Sequence, residues 1–159
     1  MLMPVISYIE KYTYWMLSFV FTISGLLLYY TFGQPVTCPC APIVNGFGTK
    51  SPDSQSLVDW YTMSHFIYGA VALWILNFLL PSLSFRIKLL AVVVASAGWE
   101  LVEHTDYVMS HFRSVTISTK YYGDSIVNSL GDVLGVMTGV VLTTKIRVYL
   151  LILFILVLE

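Results

Sequence analysis

The chain has 159 residues, of which 57% are hydrophobic and 11% are charged, and its mean hydropathy is +0.79. Soluble domains carry about 25% charged residues, so this composition excludes a soluble enzyme and a disordered tail. The formal net charge is −1, and no basic stripe of the kind that binds nucleic acid is present. The composition therefore predicts one integral membrane domain that crosses the bilayer several times.

Apolar segments predict an all-α membrane bundle with four full spans. A helix needs about 20 mainly apolar residues to cross a bilayer, and the segments near 12–32, 59–80, 83–104 and 124–144 meet this length. The first is too long for a signal peptide and no cleavage motif follows it, so we expect it to stay attached. The last apolar segment, 148–158, is too short to span alone. It is expected to be an interfacial helix, a half-span or part of a longer span.

Basic residues near the helix ends predict the orientation. A cytoplasmic N-terminus places more lysines and arginines on the inner side than on the outer side, as the positive-inside rule requires. The inner residues would be Lys11, Arg86, Lys88, Lys145 and Arg147, and the outer ones Lys50, Arg113 and Lys120. The sequence therefore predicts that the N-terminus faces the cytoplasm.

Polar side chains of three predicted spans converge at the outer end of this topology. They are His65 in span two, Glu100, Glu103 and His104 in span three, and Asp124, Asn128 and Asp132 in span four. Burying a carboxylate costs on the order of several kcal/mol unless it is protonated, paired or bound to a cation. Few cationic side chains lie nearby. We therefore expect these acids to share protons, to bind a metal ion or to hold a charged group of a partner.

Helical spacing adds two expectations. The residues Glu100, Glu103, His104, Tyr107 and His111 form one stripe if the third helix continues past His104. Gly131, Gly135 and Gly139 are spaced four apart, which predicts that span four packs closely against a neighbouring helix.

Several of these residues also have a purely structural interpretation. Asp124 is a suitable helix N-cap, and Asn128 could form a hydrogen bond between helices. Tyr121 and Tyr122 are interpreted as anchors at the membrane interface. Glu100 and Glu103 are harder to explain structurally, because intramembrane carboxylates are functional by default.

Cys38 and Cys40 form a Cys-x-Cys pair in the first loop. An oxidising outer compartment permits a disulfide between them, and a bond that closes so small a ring is expected to be labile. Metal binding is the alternative, although two sulfurs without a second pair are a weak signal. A structural or redox cross-link is therefore the first interpretation.

Three motifs resemble a bacterial membrane-protein family of unknown function. They are 59–65 (DWYTMSH), 99–103 (WELVE) and 121–129 (YYGDSIVNS), and the Cys-x-Cys pair also matches. The family usually has Asn at the position of His104. More distantly, the acidic and glycine pattern is similar to that of VanZ-like membrane proteins, which are linked to glycopeptide resistance. The resemblance implies a multi-pass protein of the bacterial inner membrane and names no substrate.

An enzyme acting on a lipid-linked or envelope substrate is the first functional hypothesis, with metal-assisted hydrolysis or transfer as the reaction class. The catalytic residues would be His65, Glu100, Glu103, Asp124 and Asp132. A divalent metal would be held by His65, Glu100, Glu103 and His104, and the substrate by Asp59, Arg113, Tyr122 and Asn128.

Two other functions compete with the enzyme. A non-catalytic subunit or accessory protein of a membrane complex would use the same polar residues to grip a partner helix, and the short last segment suits such a chain. Haem b between His65 and His104 is the weaker alternative, because intramembrane histidines more often form hydrogen bonds or ion pairs. A channel is disfavoured because acids at one end do not line a through-path.

Overall fold

A computed structural model describes residues 2–45, 54–115 and 121–145, with side chains from residue 6 onward. These residues form five α-helices and no regular strand. The helices are α1 (Leu2–Phe32), α2 (Trp60–Leu79), α3 (Phe85–Glu103), α4 (Asp106–Val115) and α5 (Ile126–Thr143). The all-α fold class is confirmed. The predicted segment 148–158 lies outside the described residues, as do Lys50, Lys120 and Arg147.

Three helices of the described chain are long and apolar enough to cross a membrane. They cover Ile6–Phe32, Trp60–Leu79 and Ile126–Thr143. Helix α3 has 19 residues, about 28 Å at a rise of 1.5 Å per residue, but it carries two basic residues near its start and two acids near its end. Its role as a further span therefore stays a prediction.

Glycines bring α5 into backbone contact with α2 and with the residues before it. A Cβ at Gly139 would collide with the carbonyl oxygen of Phe66, and one at Gly131 would collide with that of Leu57. From the other side, a Cβ at Gly69 would collide with the carbonyl of Val136. The close approach predicted from the glycine spacing is confirmed, and it places Asp132 of α5 against protein.

The hydrophobic core lies between α2, α3 and α5, with α1 packed against α3. Its most buried members include Leu73 of α2, Val93 of α3, and Val136 and Val140 of α5. At one end of α3, Arg86 Nη1 donates to the carbonyl of Glu10 at 3.1 Å. The acids at the other end of α3 are therefore a full helix length away from this basic end.

The first loop completes the N-terminal turn of α5. The N–H groups of Ile126 and Val127 donate to the carbonyls of Pro35 (2.9 Å) and Val36 (3.1 Å). Ser125 is the N-cap, and its hydroxyl accepts from the N–H of Asn128 at 3.3 Å. The structural interpretation of Asp124 as N-cap is therefore wrong, since the helix begins one residue later than that interpretation required.

Helix α3 does not continue past its end at Glu103. His104 is the C-cap, and the Thr105 hydroxyl donates to the carbonyl of Val102 at 2.6 Å before α4 begins. Tyr107 and His111 are exposed on α4. The predicted single stripe from Glu100 to His111 is therefore not formed, because the chain turns where the stripe required a continuous helix.

Candidate metal centre

His65, Glu100 and Asp132 come together from three different helices. His65 Nδ1 lies 4.0 Å from Glu100 Oε1, and His65 Nε2 lies 4.0 Å from Asp132 Oδ2. The His65 side chain is 17% exposed, whereas those of Glu100 and Asp132 are buried at 0% and 2%. The structure therefore gathers one imidazole and two carboxylates at a single point inside the bundle.

Glu100 also belongs to a second group of acids, with Glu103 and Asp124. Within each group of three, one potential ligand atom from every residue lies within 4.8 Å of the others. A cavity of about 190 Å³ borders His65, Glu103, Asp124 and Asp132. The two groups thus share Glu100 and open onto one small polar space.

Glu100 is the least satisfied side chain of the site. Within the described part of the chain, neither of its carboxylate oxygens has a hydrogen-bond partner. The hydroxyl of Ser129 lies beside it without completing a hydrogen bond of ordinary geometry. A fully buried carboxylate in this condition must carry a proton or meet a cation.

Thr62 fixes the orientation of Asp132. Its hydroxyl donates to Asp132 Oδ1 at 2.7 Å and accepts the backbone N–H of Asp59 at 3.1 Å. This leaves Asp132 Oδ2 directed at His65. Sequence reasoning missed Thr62, although its place three residues after Asp59 is the signature of a capping box.

Asp59 and Asn128 serve the structure of the bundle. Asp59 Oδ1 accepts the N–H groups of Tyr61 and Thr62 as the N-cap of α2. The Asn128 amide donates to Asp59 Oδ2 at 3.2 Å and to the carbonyl of Ser56 at 2.5 Å. These contacts support the helix-to-helix interpretation of Asn128. They use the amide nitrogen of Asn128 and both oxygens of Asp59, whereas Asn128 Oδ1 has no hydrogen-bond partner among the described residues. A contact of either side chain with substrate stays a prediction.

His104 is held by backbone groups on both sides of its ring. It is fully buried, its Nδ1 donates to the carbonyl of Glu100 at 2.6 Å, and its Nε2 accepts the N–H of Asp124 at 3.0 Å. These partners require the neutral tautomer with the proton on Nδ1. Neither nitrogen is free in this arrangement, so the geometry gives His104 a structural role in place of the predicted role in binding metal or haem.

Tyr121 holds Asp124 in place. Its hydroxyl donates to Asp124 Oδ1 at 2.8 Å. Burial, followed by the charge of Asp124, raises the pKa of Tyr121, which keeps the hydroxyl a donor. The expectation that Tyr121 is an interfacial anchor is wrong, since only 7% of it is exposed. In the sequence, two adjacent tyrosines three and two residues before Asp124 do not indicate which of them makes this contact.

Arg113 and Tyr122, both predicted to bind substrate, lie on the outer side of this arrangement. Arg113 Nη1 donates to the carbonyl of Tyr121 at 2.8 Å, and the guanidinium lies 5.3 Å from the centre of the Tyr122 ring. Tyr122 is 73% exposed. Arg113 therefore ties α4 to the segment before α5, and a contact with substrate stays a prediction.

Cys38 and Cys40 are joined by a disulfide, with their Cα atoms 5.1 Å apart. The bond lies in the same loop whose Pro35 and Val36 carbonyls cap α5. A redox role for the pair stays a prediction.

The comparisons with known proteins decide the family. Residues 19–159 match the family model described as "Protein of unknown function (DUF2585)". The chain belongs to this family. The resemblance predicted from the three motifs is thereby confirmed, while the likeness to VanZ-like proteins stays a prediction.

Relatives within the family are bacterial proteins named UPF0314. One from Paracoccus denitrificans is 37% identical over 86% of this chain, and one from Brucella anthropi is 35% identical over 71%. The chain spans 71% of the Paracoccus protein and 58% of the Brucella protein. One from Sinorhizobium fredii is 33% identical over 84% of this chain and 69% of its own length. No solved structure matches the chain.

Proposed function

We propose that this DUF2585 protein is a metal-dependent membrane hydrolase or transferase that acts on a lipid-linked or envelope substrate. The observation that carries the proposal is Glu100, a fully buried carboxylate without a hydrogen-bond partner among the described residues. It lies between an imidazole and further carboxylates from the neighbouring helices. A divalent cation would neutralise this acidic cluster, which has few basic neighbours.

His65, Glu100 and Asp132 are the ligand set that we assign to this cation. Atoms bound to one ion at about 2.0–2.2 Å are separated by no more than about 4.4 Å. With one ligand atom taken from each of the three residues, these atoms lie within 4.8 Å of one another, close to that limit. One imidazole with two carboxylates suits zinc, iron or manganese. Three protein ligands leave a coordination position for water, which a bound metal makes more acidic.

Glu103 is the residue that we assign to proton transfer. It is only partly buried and borders the same cavity as His65 and Asp132. Trp99 lies one helical turn before Glu103 on α3 and borders the same cavity. Glu103 can therefore exchange a proton with a group in the cavity while Glu100 stays committed to the ion.

The outer leaflet is where we place this chemistry. The site is built from the start of α2, the end of α3 and the start of α5, which lie together. A cytoplasmic N-terminus would put these ends on the outer side of the bacterial inner membrane. The substrate would then be an envelope component reached from that face.

Elemental analysis of the purified chain tests the metal. We expect about one equivalent of a transition metal in the wild type and a loss of at least tenfold in Glu100→Gln, which keeps the shape and removes the charge. Asp106→Asn is the matched control, because Asp106 is an exposed acid on α4. A metal-free wild type after supplementation with zinc, manganese and iron would contradict the proposal, and so would full metal content in folded Glu100→Gln.

Incubation with a total lipid extract of a bacterial inner membrane tests the chemistry. Mass spectrometry should find lipid species that change with the metal-loaded wild type and that stay unchanged with Glu103→Gln. We expect Glu103→Gln to keep its metal, because the ion is assigned to the other three residues. Identical lipid profiles for the wild type and a sample without protein would count against catalysis.

A non-catalytic accessory subunit is the second candidate. The observation that favours it is the use of Asp59, Asn128 and Tyr121 to hold the bundle together, as polar residues do in structural membrane proteins. Purification in mild detergent distinguishes the two candidates. A stoichiometric partner that co-purifies with the wild type and is lost from variants of the polar site would support the subunit. A chain that purifies alone with bound metal would support the enzyme.

A further inference from the structure

An apolar groove runs between α2 and α3 and ends at the candidate metal centre. One cavity of about 680 Å³ is lined by residues such as Val71 and Ile75 of α2 and Ala91 of α3. A second of about 580 Å³ borders His65, Ser96 and Trp99. Ser64, Tyr68 and Ala95 line both. The two cavities therefore form one path along α2 and α3, from Leu76 to His65.

Small side chains on α3 create this groove. Ala91 and Ala95 lie one turn apart on the exposed face of α3, opposite Tyr68 and Ile75 of α2. Although α2 and α3 are consecutive and joined by a short turn, alanines in these positions leave space between them. The groove extends along α2 from Ser64 to Leu76, which is about 18 Å of helix at a rise of 1.5 Å per residue. This is close to one leaflet of a hydrocarbon core that is about 30 Å thick.

The end of the groove is polar and has an unsatisfied group of its own. Ser96 is 2% exposed, its hydroxyl has no hydrogen-bond partner within the described chain, and it borders the cavity beside His65. It lies one helical turn before Glu100 on the same face of α3. His65 itself borders both this cavity and the acidic one. A ligand in the groove would therefore be apolar along its length and polar at the end near the metal.

We infer that the groove between α2 and α3 binds one hydrocarbon chain of a membrane lipid whose polar head group reaches His65 and Ser96. This inference rests on the proposed function and narrows its substrate to an amphiphile that enters sideways from the bilayer. Continuity with the candidate metal centre favours this occupant over an apolar partner helix, since the groove ends at His65 and at the unpartnered hydroxyl of Ser96, which a polar head group would satisfy.

Photochemical labelling tests the inference. The full chain in nanodiscs is exposed to a phosphatidic acid that carries a diazirine in one acyl chain, and the labelled residues are located by mass spectrometry. We expect labels to concentrate on Tyr68, Val71, Ile75 and Ala91. An even distribution over other exposed apolar positions, such as Phe19 and Phe78, would overturn the inference, because it is what ordinary boundary lipid produces.

Ala91→Trp supplies the blocking variant. Its indole would fill the groove more than two helical turns away from Glu100, so we expect labelling in the groove to fall at least fivefold while the metal content stays that of the wild type. Val94→Trp is the matched control, because Val94 is 48% exposed on the same helix and lines neither cavity. Equal labelling of the two variants would overturn the inference.

Two further measurements distinguish lipid binding in the groove from metal binding, and a lipid from other occupants of the groove. Glu100→Gln should lose metal and keep the labelling pattern, since the hydrocarbon chain does not contact Glu100. A wild type without metal but with labels confined to the groove would contradict the proposed function and support lipid binding. A groove protected from label, with Ala91→Trp changing the oligomeric mass, would identify a second copy as the occupant and overturn the inference.

Discussion

Thr62 donates its hydroxyl proton to Asp132 Oδ1 at 2.7 Å, across the contact between α2 and α5. The same hydroxyl accepts the backbone N–H of Asp59 and so belongs to the cap of α2. The start of one helix and the orientation of an acid on another thus depend on a single side chain. Partners of this kind tune metal ligands through their orientation.

Replacing Thr62 by valine should weaken metal binding. The change keeps the shape of the side chain and removes the donor to Asp132. Loss of such a supporting contact typically lowers metal affinity by about 10- to 100-fold. Isothermal titration calorimetry of the metal-free protein with zinc measures this affinity. Thr62→Ser retains the hydroxyl and should bind within about threefold of the wild type, by the same reasoning. Equal affinity for valine and serine variants would show that Thr62 does not position Asp132.

His104→Ala should lower stability and leave the metal in place. The variant leaves the N–H of Asp124 without its partner, whereas the carbonyl of Glu100 keeps the backbone N–H of residue 104. A buried unsatisfied group costs about 1–3 kcal/mol. Thermal unfolding in detergent, followed by tryptophan fluorescence, should show a lower midpoint. Asparagine can both donate and accept a hydrogen bond, so the unfolding midpoint of His104→Asn should lie between those of the wild type and His104→Ala. Loss of metal from a folded His104→Asn would restore the role as ligand that the geometry argues against.

Gly139→Ala should destabilise the bundle by about 1–3 kcal/mol, because the new methyl group would meet the backbone of α2 at Phe66. Gly98→Ala is the control, since nothing lies within 4 Å of a Cβ at that position. There the better helix propensity of alanine, about 1 kcal/mol, should leave the unfolding midpoint unchanged or slightly higher. Similar midpoints for the two variants would mean that α2 and α5 are further apart than the structure shows.

Asn128→Leu should reduce stability by removing the link between α5 and the start of α2. The carbonyl of Ser56 and Oδ2 of Asp59 would lose the amide that donates to them, at a cost of about 1–3 kcal/mol for each buried group. Thr138→Val is the comparison on the same helix, because the exposed Thr138 hydroxyl bonds only within α5. If Asn128→Leu unfolds at the temperature of Thr138→Val, the amide does not hold the two helices together.

The helices were predictable because apolar length and capping chemistry are local. Asp59 and Leu80 flank α2 at the ends of the predicted segment 59–80, since an aspartate stops the apolar run at one end and Pro81 follows the other. The spacing of Gly131, Gly135 and Gly139 likewise predicted the close contact of α5. Each of these features depends on residues that are close together in the sequence.

The roles within the site were not predictable in the same way. Glu100 and His104 lie on one predicted face, yet one is unsatisfied and the other is fully bonded to backbone groups. This difference depends on where the segment before α5 passes, which helical periodicity does not encode. The contact of Thr62 with Asp132 joins residues 70 apart in the chain, which no local pattern reports. Tyr121 contacts Asp124 only three residues on, but in a segment without helical periodicity.

The capping of α5 by the first loop has a consequence for biogenesis. The donors of Ile126 and Val127 find their acceptors at Pro35 and Val36, which emerge from the ribosome long before α5 is made. The first turn of the last described helix is therefore completed only by a loop that is made much earlier in translation.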